Sequence, residues 1–116
     1  MKVVYVASPY TLGDVAVNVK RQIDMADTLM SFGYCPIVPL LNHFQHLAHP
    51  RPYEDWVKID NELVLRSDAV LRLSGESKGA DAEVKLAISN NIPVVYSIEE
   101  LVRLFEDNTK AFEDDR

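Results

Sequence analysis

Four short apolar runs along the chain have the length and composition of buried β-strands. β-branched and aromatic side chains dominate these runs, which cover residues 2–7, 37–38, 69–73 and 93–96. Their apolar residues are continuous rather than alternating, which is typical of strands covered on both faces of a parallel sheet. The pattern therefore predicts a parallel sheet of four or five strands.

The segments between these runs carry apolar residues at helical spacing. One such stripe is Val15, Val19, Ile23, Ala26 and Met30. The helix that it predicts begins after the N-cap Asp14 and closes at Gly33. Further helices are predicted over residues 53–66, 80–90 and 98–106, and a loop over residues 39–52. Strands that alternate with helices predict a single-domain, doubly wound α/β fold of the flavodoxin-like or Rossmann-like class, with helices on both faces of the sheet.

Length and composition set the class of protein. At 116 residues the chain is long enough for one core, so we expect one domain over residues 1–107 and an acidic, frayed tail over residues 108–116. A net charge of -6 with scattered basic residues argues against a nucleic-acid polymer as partner. The single cysteine, Cys35, excludes an internal disulfide and is typical of a reducing compartment, so a cytoplasmic protein without membrane association is expected.

The loop over residues 74–80 is expected at a ligand crevice. In doubly wound sheets this crevice lies outside the carboxyl ends of the strands, where the loops over residues 8–13 and 40–52 should also arrive. Gly75 and Gly79 allow close backbone approach, Ser77 offers a hydroxyl, and free N–H groups begin the next helix. These features predict a site for a phosphate or a sugar hydroxyl. The alternative is an ordinary strand-to-helix turn.

Two carboxylates are candidates for catalytic chemistry. Glu83 is expected near the first turn of its helix, where the macrodipole favours the ionised form, although a glutamate there is also a common stabilising surface residue. Asp60 lies on an apolar helical stripe, so burial should raise its pKa toward the range of a general acid. A salt bridge of Asp60 with Lys58 or Arg66 is the structural alternative.

Three histidines, His43, His46 and His49, follow one another at intervals of three residues. Three imidazoles are able to bind zinc, but the spacing is not that of a known zinc motif and no fourth ligand accompanies them. We therefore predict no metal, and we expect one histidine, with His43 as the candidate, to contact a ligand. Trp56 either packs under the loop or stacks on a base.

The order of these features resembles the nucleoside 2-deoxyribosyltransferase superfamily. The residues that carry the resemblance are YVASPY over 5–10, Asp60, SDAV over 67–70 and SKGADAE over 77–83. The resemblance extends to about residue 105. Within the superfamily, the chain is most similar to the small phage and bacterial members and to the nucleoside 5'-monophosphate N-glycosidases.

The resemblance implies a reaction for the two carboxylates. The residue that matches Glu83 attacks the anomeric carbon and expels the base, which leaves a glycosyl-enzyme ester. The residue that matches Asp60 belongs to the same machinery as proton donor to the base. The resemblance further implies a nucleoside or nucleoside monophosphate as partner, no cofactor, and a homodimer or larger homo-oligomer.

The resemblance also carries an indication of the substrate. Transferases that act on free nucleosides tend to have an aspartate where this chain has Ser77, and a hydroxyl accepts a 5'-phosphate that a carboxylate would repel. Ser8 is similar to a phosphate-contacting position in the monophosphate hydrolases. The family has a tyrosine in strand one, and the resemblance implies that Tyr5, or Tyr10 from the following loop, supplies its phenol. Hydrolysis of a monophosphate thus ranks above base exchange, with a non-catalytic nucleotide-binding module as the alternative.

Overall fold

A computed structural model of the chain describes the backbone of residues 1–114 and the side chains of residues 1–106. Its sheet contains four parallel strands in the order β2-β1-β3-β4. The strands are β1 (Val3–Ala7), β2 (Cys35–Ile37), β3 (Ala69–Arg72) and β4 (Val94–Val95). The predicted doubly wound α/β domain is confirmed. The predicted frayed tail over residues 108–116 lies outside the residues with described side chains and stays a prediction.

Five helices connect and follow the strands in the described chain. They are α1 (Val15–Ser31), α2 (Asn42–Ala48), α3 (Tyr53–Leu65), α4 (Lys78–Ser89) and α5 (Ile98–Asp114), with a 3₁₀ turn over Pro39–Leu41 before α2. Asp14 caps α1 as predicted, because its carboxylate accepts bonds from the N–H groups of Ala16 and Val17. None of the helices in these residues combines the length and hydropathy needed to cross a bilayer.

Two local predictions were wrong. The predicted loop over residues 39–52 contains α2, whose residues are not buried, so it has no core-facing stripe that a sequence pattern reveals. The face of α1 was also misassigned in part. Val19 is buried as predicted, but Ile23 and Met30 are exposed. The buried face also includes Asn18 and Gln22, whose polar side chains bond to β1 and to the loop that follows it. A polar residue can face the core when its side chain is hydrogen-bonded, but a prediction from periodicity expects an apolar residue there.

The two faces of the sheet carry separate cores. Alternate residues of β1 point in opposite directions, so Val4 and Val6 pack with Leu29 of α1 and Leu101 of α5. On the other face, Tyr5 and Ala7 pack with residues of α3 and α4: Val64, Ala80 and Ala87. Side chains on the second face of β1 therefore lie beneath α3 and α4.

The topological switch point lies between β1 and β3. The chain leaves β1 toward β2 on one side and reaches β3 on the other, so the loops after β1 and β3 diverge and open a crevice. The two loops nevertheless meet at one point, between Gly75 and Pro9. Gly75 has φ +120°, and a Cβ there would lie 2.8 Å from Cγ of Pro9, so the approach requires a glycine.

Candidate active site

A cleft of about 840 Å³ opens at the carboxyl ends of β1 and β3. Eight of the nine residues singled out in the sequence line it: Ser8, Tyr10, His43, Trp56, Asp60, Ser77, Gly79 and Glu83. The ninth, Tyr5, lies fully buried beneath the cleft and contacts Glu83. The fold thus brings together residues from β1, from the loops after β1 and β3, and from the helices α2, α3 and α4.

Tyr5 and Glu83 form a buried hydrogen bond. The Tyr5 hydroxyl donates to Oε2 of Glu83, from the face of β1 that α3 and α4 cover. Burial raises the pKa of Tyr5 far above its usual value, and the charges of Glu83 and Asp60 raise it further. The phenol therefore stays protonated and holds one carboxylate oxygen of Glu83 in place. Tyr10 does not share this role, because its hydroxyl bonds instead to Nδ1 of His43 at 2.5 Å.

Glu83 does not have the electrostatic setting expected of a first-turn residue. Because Ser77 caps α4 and the helix begins at Lys78, Glu83 lies in the second turn, beyond the strongest effect of the macrodipole. Burial raises its pKa to about 7, and the Asp60 charge acts in the same direction. The Tyr5 hydrogen bond and the Arg72 charge oppose this rise. The expectation of a carboxylate kept ionised by the helix start is wrong.

Asp60 has the apolar setting predicted from its stripe. Burial raises its pKa to about 6, and Oδ1 is a buried oxygen without a hydrogen-bond partner in the described part of the chain. The salt-bridge alternative is not observed: within residues 1–106 Asp60 forms no ion pair, and Arg66 pairs with Glu62 at 3.3 Å. An unpaired buried carboxylate oxygen is costly unless a proton or a ligand satisfies it.

Several residues of the cleft lining present hydrogen-bond donors. Ser8 accepts a bond from Gln22 Nε2 at 2.8 Å, and Ser77 accepts one from the N–H of Ala80 at 3.1 Å, so both hydroxyls keep a proton to donate. The N–H groups of Lys78 and Gly79 begin α4, and no protein acceptor meets them in the described residues. Donors of this kind suit an anion or a sugar hydroxyl.

Other residues of the cleft lining carry aromatic or imidazole rings. Tyr10, His43, Trp56 and His46 all line it, and Trp56 Nε1 donates to Nδ1 of His46 at 3.0 Å. His49 does not line the cleft. Among the described residues, no three metal-ligating side chains gather in one place. Aromatic walls with a few polar atoms suit a flat heterocycle.

Two residues of the site escaped the sequence analysis. Gln22 is 1% exposed, and it joins β1 to the loop before α2: its Nε2 donates to the carbonyl of Val6, and its Oε1 accepts from Leu40 N at 3.1 Å. The signal in the sequence is an amide on the buried face of a helix.

Arg72 is the second of these residues. Its side chain is 10% exposed, and it donates to the carbonyls of Leu73 and Gly75 and to the Asp81 carboxylate at 3.0 Å. The guanidinium thereby ties the loop after β3 to the start of α4. The signal in the sequence is a cation inside an otherwise apolar strand.

Residues 2–97 match the model of a family described as a domain of unknown function (DUF7768), and the chain belongs to that family. No curated protein matches it significantly. A solved structure of a 2-deoxyribosyltransferase from the psychrotolerant bacterium Bacillus psychrosaccharolyticus is similar, with a TM-score of 0.59 and 18% identity over 79% of this chain and 69% of that one. At this identity the likeness shows a shared fold, and it supports the resemblance as a distant structural relationship.

Proposed function

We propose that this member of the DUF7768 family cleaves the N-glycosidic bond of a nucleoside 5'-monophosphate, with hydrolysis as its main reaction. One observation carries the proposal: Glu83 and Asp60, on neighbouring helices, face one cleft at the switch point, and burial raises the pKa of both. Glycosidic bond cleavage uses a pair of carboxyl groups that flank the scissile bond, one as general acid with a raised pKa and the other as nucleophile or base. The shared fold with a 2-deoxyribosyltransferase supports the same class of chemistry.

Glu83 is the proposed nucleophile. Its free carboxylate oxygen attacks the anomeric carbon, the carbon–nitrogen bond breaks, and the bonding electron pair leaves with the base. Asp60 transfers its proton to a ring atom of the departing base, which keeps the base from leaving as an anion. Asp60, now ionised, takes a proton from water as that water attacks the glycosyl ester and frees Glu83. The reaction requires two carboxyl groups and one water molecule.

The proposed reaction uses one protonation state of the pair. With pKa values of about 6 and about 7, the two carboxyl groups together hold less than one proton at neutral pH, and Glu83 binds that proton more strongly than Asp60 does. The productive form, with the proton on Asp60 and an ionised Glu83, is therefore the minor form of the singly protonated pair. Tyr5 and Arg72 both favour ionised Glu83, because a donated hydrogen bond and a positive charge stabilise its carboxylate.

Two groups of lining residues orient the proposed substrate. The 5'-phosphate is expected at Ser8, Ser77 and the first N–H groups of α4, including that of Gly79, and the base beside the aromatic residues. The cations that line the cleft are Lys78, which Glu76 accompanies in the lining, and Arg51, which pairs with Asp55 at 3.4 Å. Because an acidic side chain accompanies each cation, we expect the phosphate to bind mainly through hydroxyl and backbone donors.

Release of free base tests the proposal. The protein is incubated separately with common nucleosides and their 5'-monophosphates, and free base is followed by chromatography. We expect release from at least one monophosphate, loss of release in Glu83→Ala, and strong reduction in Asp60→Asn. Glu62→Gln, an exposed carboxylate change on α3, is the matched control and should stay active.

The outcomes of this assay separate the alternatives. No release from any nucleotide, together with measurable binding, would leave a nucleotide-binding module and remove the enzyme. Release that is undiminished in Glu83→Ala would remove the proposed nucleophile. Addition of a second free base distinguishes hydrolysis from transfer, because transfer yields a new nucleotide. The homo-oligomer implied by the resemblance stays a prediction.

A further inference from the structure

His46 has a ring nitrogen that two donors occupy. Trp56 Nε1 donates to Nδ1 of His46 at 3.0 Å, and the backbone N–H of Arg51 approaches the same atom at 3.3 Å. The Trp56 indole nitrogen and the Arg51 amide are donors only, so Nδ1 must be an acceptor. A neutral imidazole with an accepting Nδ1 carries its proton on Nε2. The surroundings therefore fix the tautomer of His46 before any ligand arrives.

The other ring nitrogen of His46 is free to act on a ligand. Across residues 1–106, no protein atom accepts a hydrogen bond from Nε2, yet His46 lines the cleft beside Trp56. The edge-to-face contact with the Trp56 ring, at 5.8 Å between centroids and 73° between planes, holds the imidazole in one orientation. His43 differs, because its Nδ1 faces the Tyr10 hydroxyl, whose proton allows either tautomer.

We propose that His46 is a specificity-determining residue whose Nε2–H donates to an acceptor atom of the nucleobase, a ring nitrogen or a carbonyl oxygen. The proposal rests on the proposed function for the identity of the ligand as a nucleotide. A donor that is fixed in advance costs no reorientation when the base arrives, and a base without an acceptor at that position would leave the cleft with an unpaired polar group. His46 therefore selects among bases by the acceptor that they present.

Binding, measured without turnover, tests this role separately from catalysis. Calorimetry gives the dissociation constant of each common nucleoside 5'-monophosphate from three proteins. These are Glu83→Gln, which retains His46, and the same protein with His46→Leu or with His46→Gln. We expect His46→Leu to lose about tenfold in affinity for the tightest-binding nucleotide, the worth of one hydrogen bond. His46→Gln, which keeps an N–H donor near the position of Nε2, should retain most of the affinity. His49→Leu, a histidine outside the cleft lining, is the matched control and should bind unchanged.

Base analogues identify the acceptor. Deaza and deoxo analogues of the tightest-binding nucleotide each lack one acceptor atom. When His46 is present, one of these analogues should bind about tenfold more weakly than the unmodified nucleotide. In His46→Leu, that analogue and the unmodified nucleotide should bind with equal affinity. If His46→Leu folds poorly, His46→Gln supplies the second arm of the comparison, because it retains an N–H donor and should show the same loss with the same analogue.

The tautomer provides a test that needs no ligand. Nitrogen-15 spectra of the imidazoles should show His46 protonated at Nε2 and unprotonated at Nδ1 in the free protein. A proton on Nδ1, equal affinity in His46→Leu, equal losses for every analogue in both proteins, or no nucleotide binding at all would each overturn the inference. Nucleotide binding that depends on His46 without base release would retain it while the proposed catalysis fails.

Discussion

Replacing Glu83 by glutamine should stabilise the protein, and increasingly so as the pH rises. The pKa of Glu83 is raised from 4.5 to about 7, so the folded state favours the protonated carboxyl more than the unfolded state does. Its contribution to stability is therefore fully present below the unfolded pKa and is lost as the pH rises through the folded one. Once the carboxyl is ionised in both states, this loss amounts to about 3 kcal/mol. Glutamine resembles the protonated form and has no such loss.

Urea denaturation at two pH values measures the effect. At about pH 5, the unfolded chain is ionised at this position while the folded one is not, and Glu83→Gln should be more stable than the parent by about 1 kcal/mol. At about pH 8.5 the advantage should reach about 3 kcal/mol. Glu62→Gln, with an exposed side chain, should change by less than about 0.5 kcal/mol at either pH. An advantage of Glu83→Gln that does not grow with pH would refute the burial of the carboxyl.

Two further predictions concern residues around the carboxyl pair. Base release should have a bell-shaped pH profile of kcat/KM with limbs near pH 6 and 7. Tyr5→Phe removes the hydrogen bond that favours ionised Glu83, so the upper limb should move up by about one pH unit and the maximum of kcat/KM should fall about tenfold. Movement of the lower limb instead would assign the lower pKa to Glu83. Gly75→Ala should lower the free energy of unfolding, measured by urea denaturation, by about 1–3 kcal/mol, because residue 75 has φ +120° and a Cβ there would meet Pro9. Gly79→Ala should be tolerated, because a Cβ there would meet only the Tyr53 hydroxyl, at 3.7 Å. Equal stability of the two alanine variants would contradict the close approach of the loops.

The sequence predicted most of the fold because continuous apolar runs and helical stripes report burial directly. It failed where burial and polarity disagree. Asn18 and Gln22 occupy the buried face of α1 as polar residues, and Arg72 lies inside a buried strand. The polar atoms of each side chain donate hydrogen bonds to backbone carbonyls, and Gln22 also donates to Ser8. Only folding brings these acceptors close to them. A pattern of hydrophobicity treats such residues as interruptions, although they fix the loops around the cleft.

Most members of the candidate site were predictable, and so was the raised pKa of Asp60, but the electrostatic setting of Glu83 was not. Asp60 and Glu83 were found from their spacing and from the resemblance, and both line the cleft. The bond between Tyr5 and Glu83 depends on the face of β1 that α4 covers and on the residue at which α4 begins, and Ser77 sets that start. A helix that begins at Lys78 rather than two residues later places Glu83 in the second turn, away from the strongest effect of the helix dipole. Burial then sets the direction of its pKa shift, and burial of this side chain is not visible in the sequence.

The energetic cost of the carboxyl pair argues for a chemical role. A domain of this size has a free energy of unfolding of about 5–15 kcal/mol, and ionised Glu83 alone withdraws about 3 kcal/mol of it. Asp60, which is more exposed, adds a smaller cost, and its Oδ1 has no partner in the described chain. A purely structural position would be served better by an amide or an apolar side chain of similar size. The cost is concentrated at the switch point, where the fold opens a crevice lined by hydrogen-bond donors and aromatic rings. It therefore lies where a substrate can offset it.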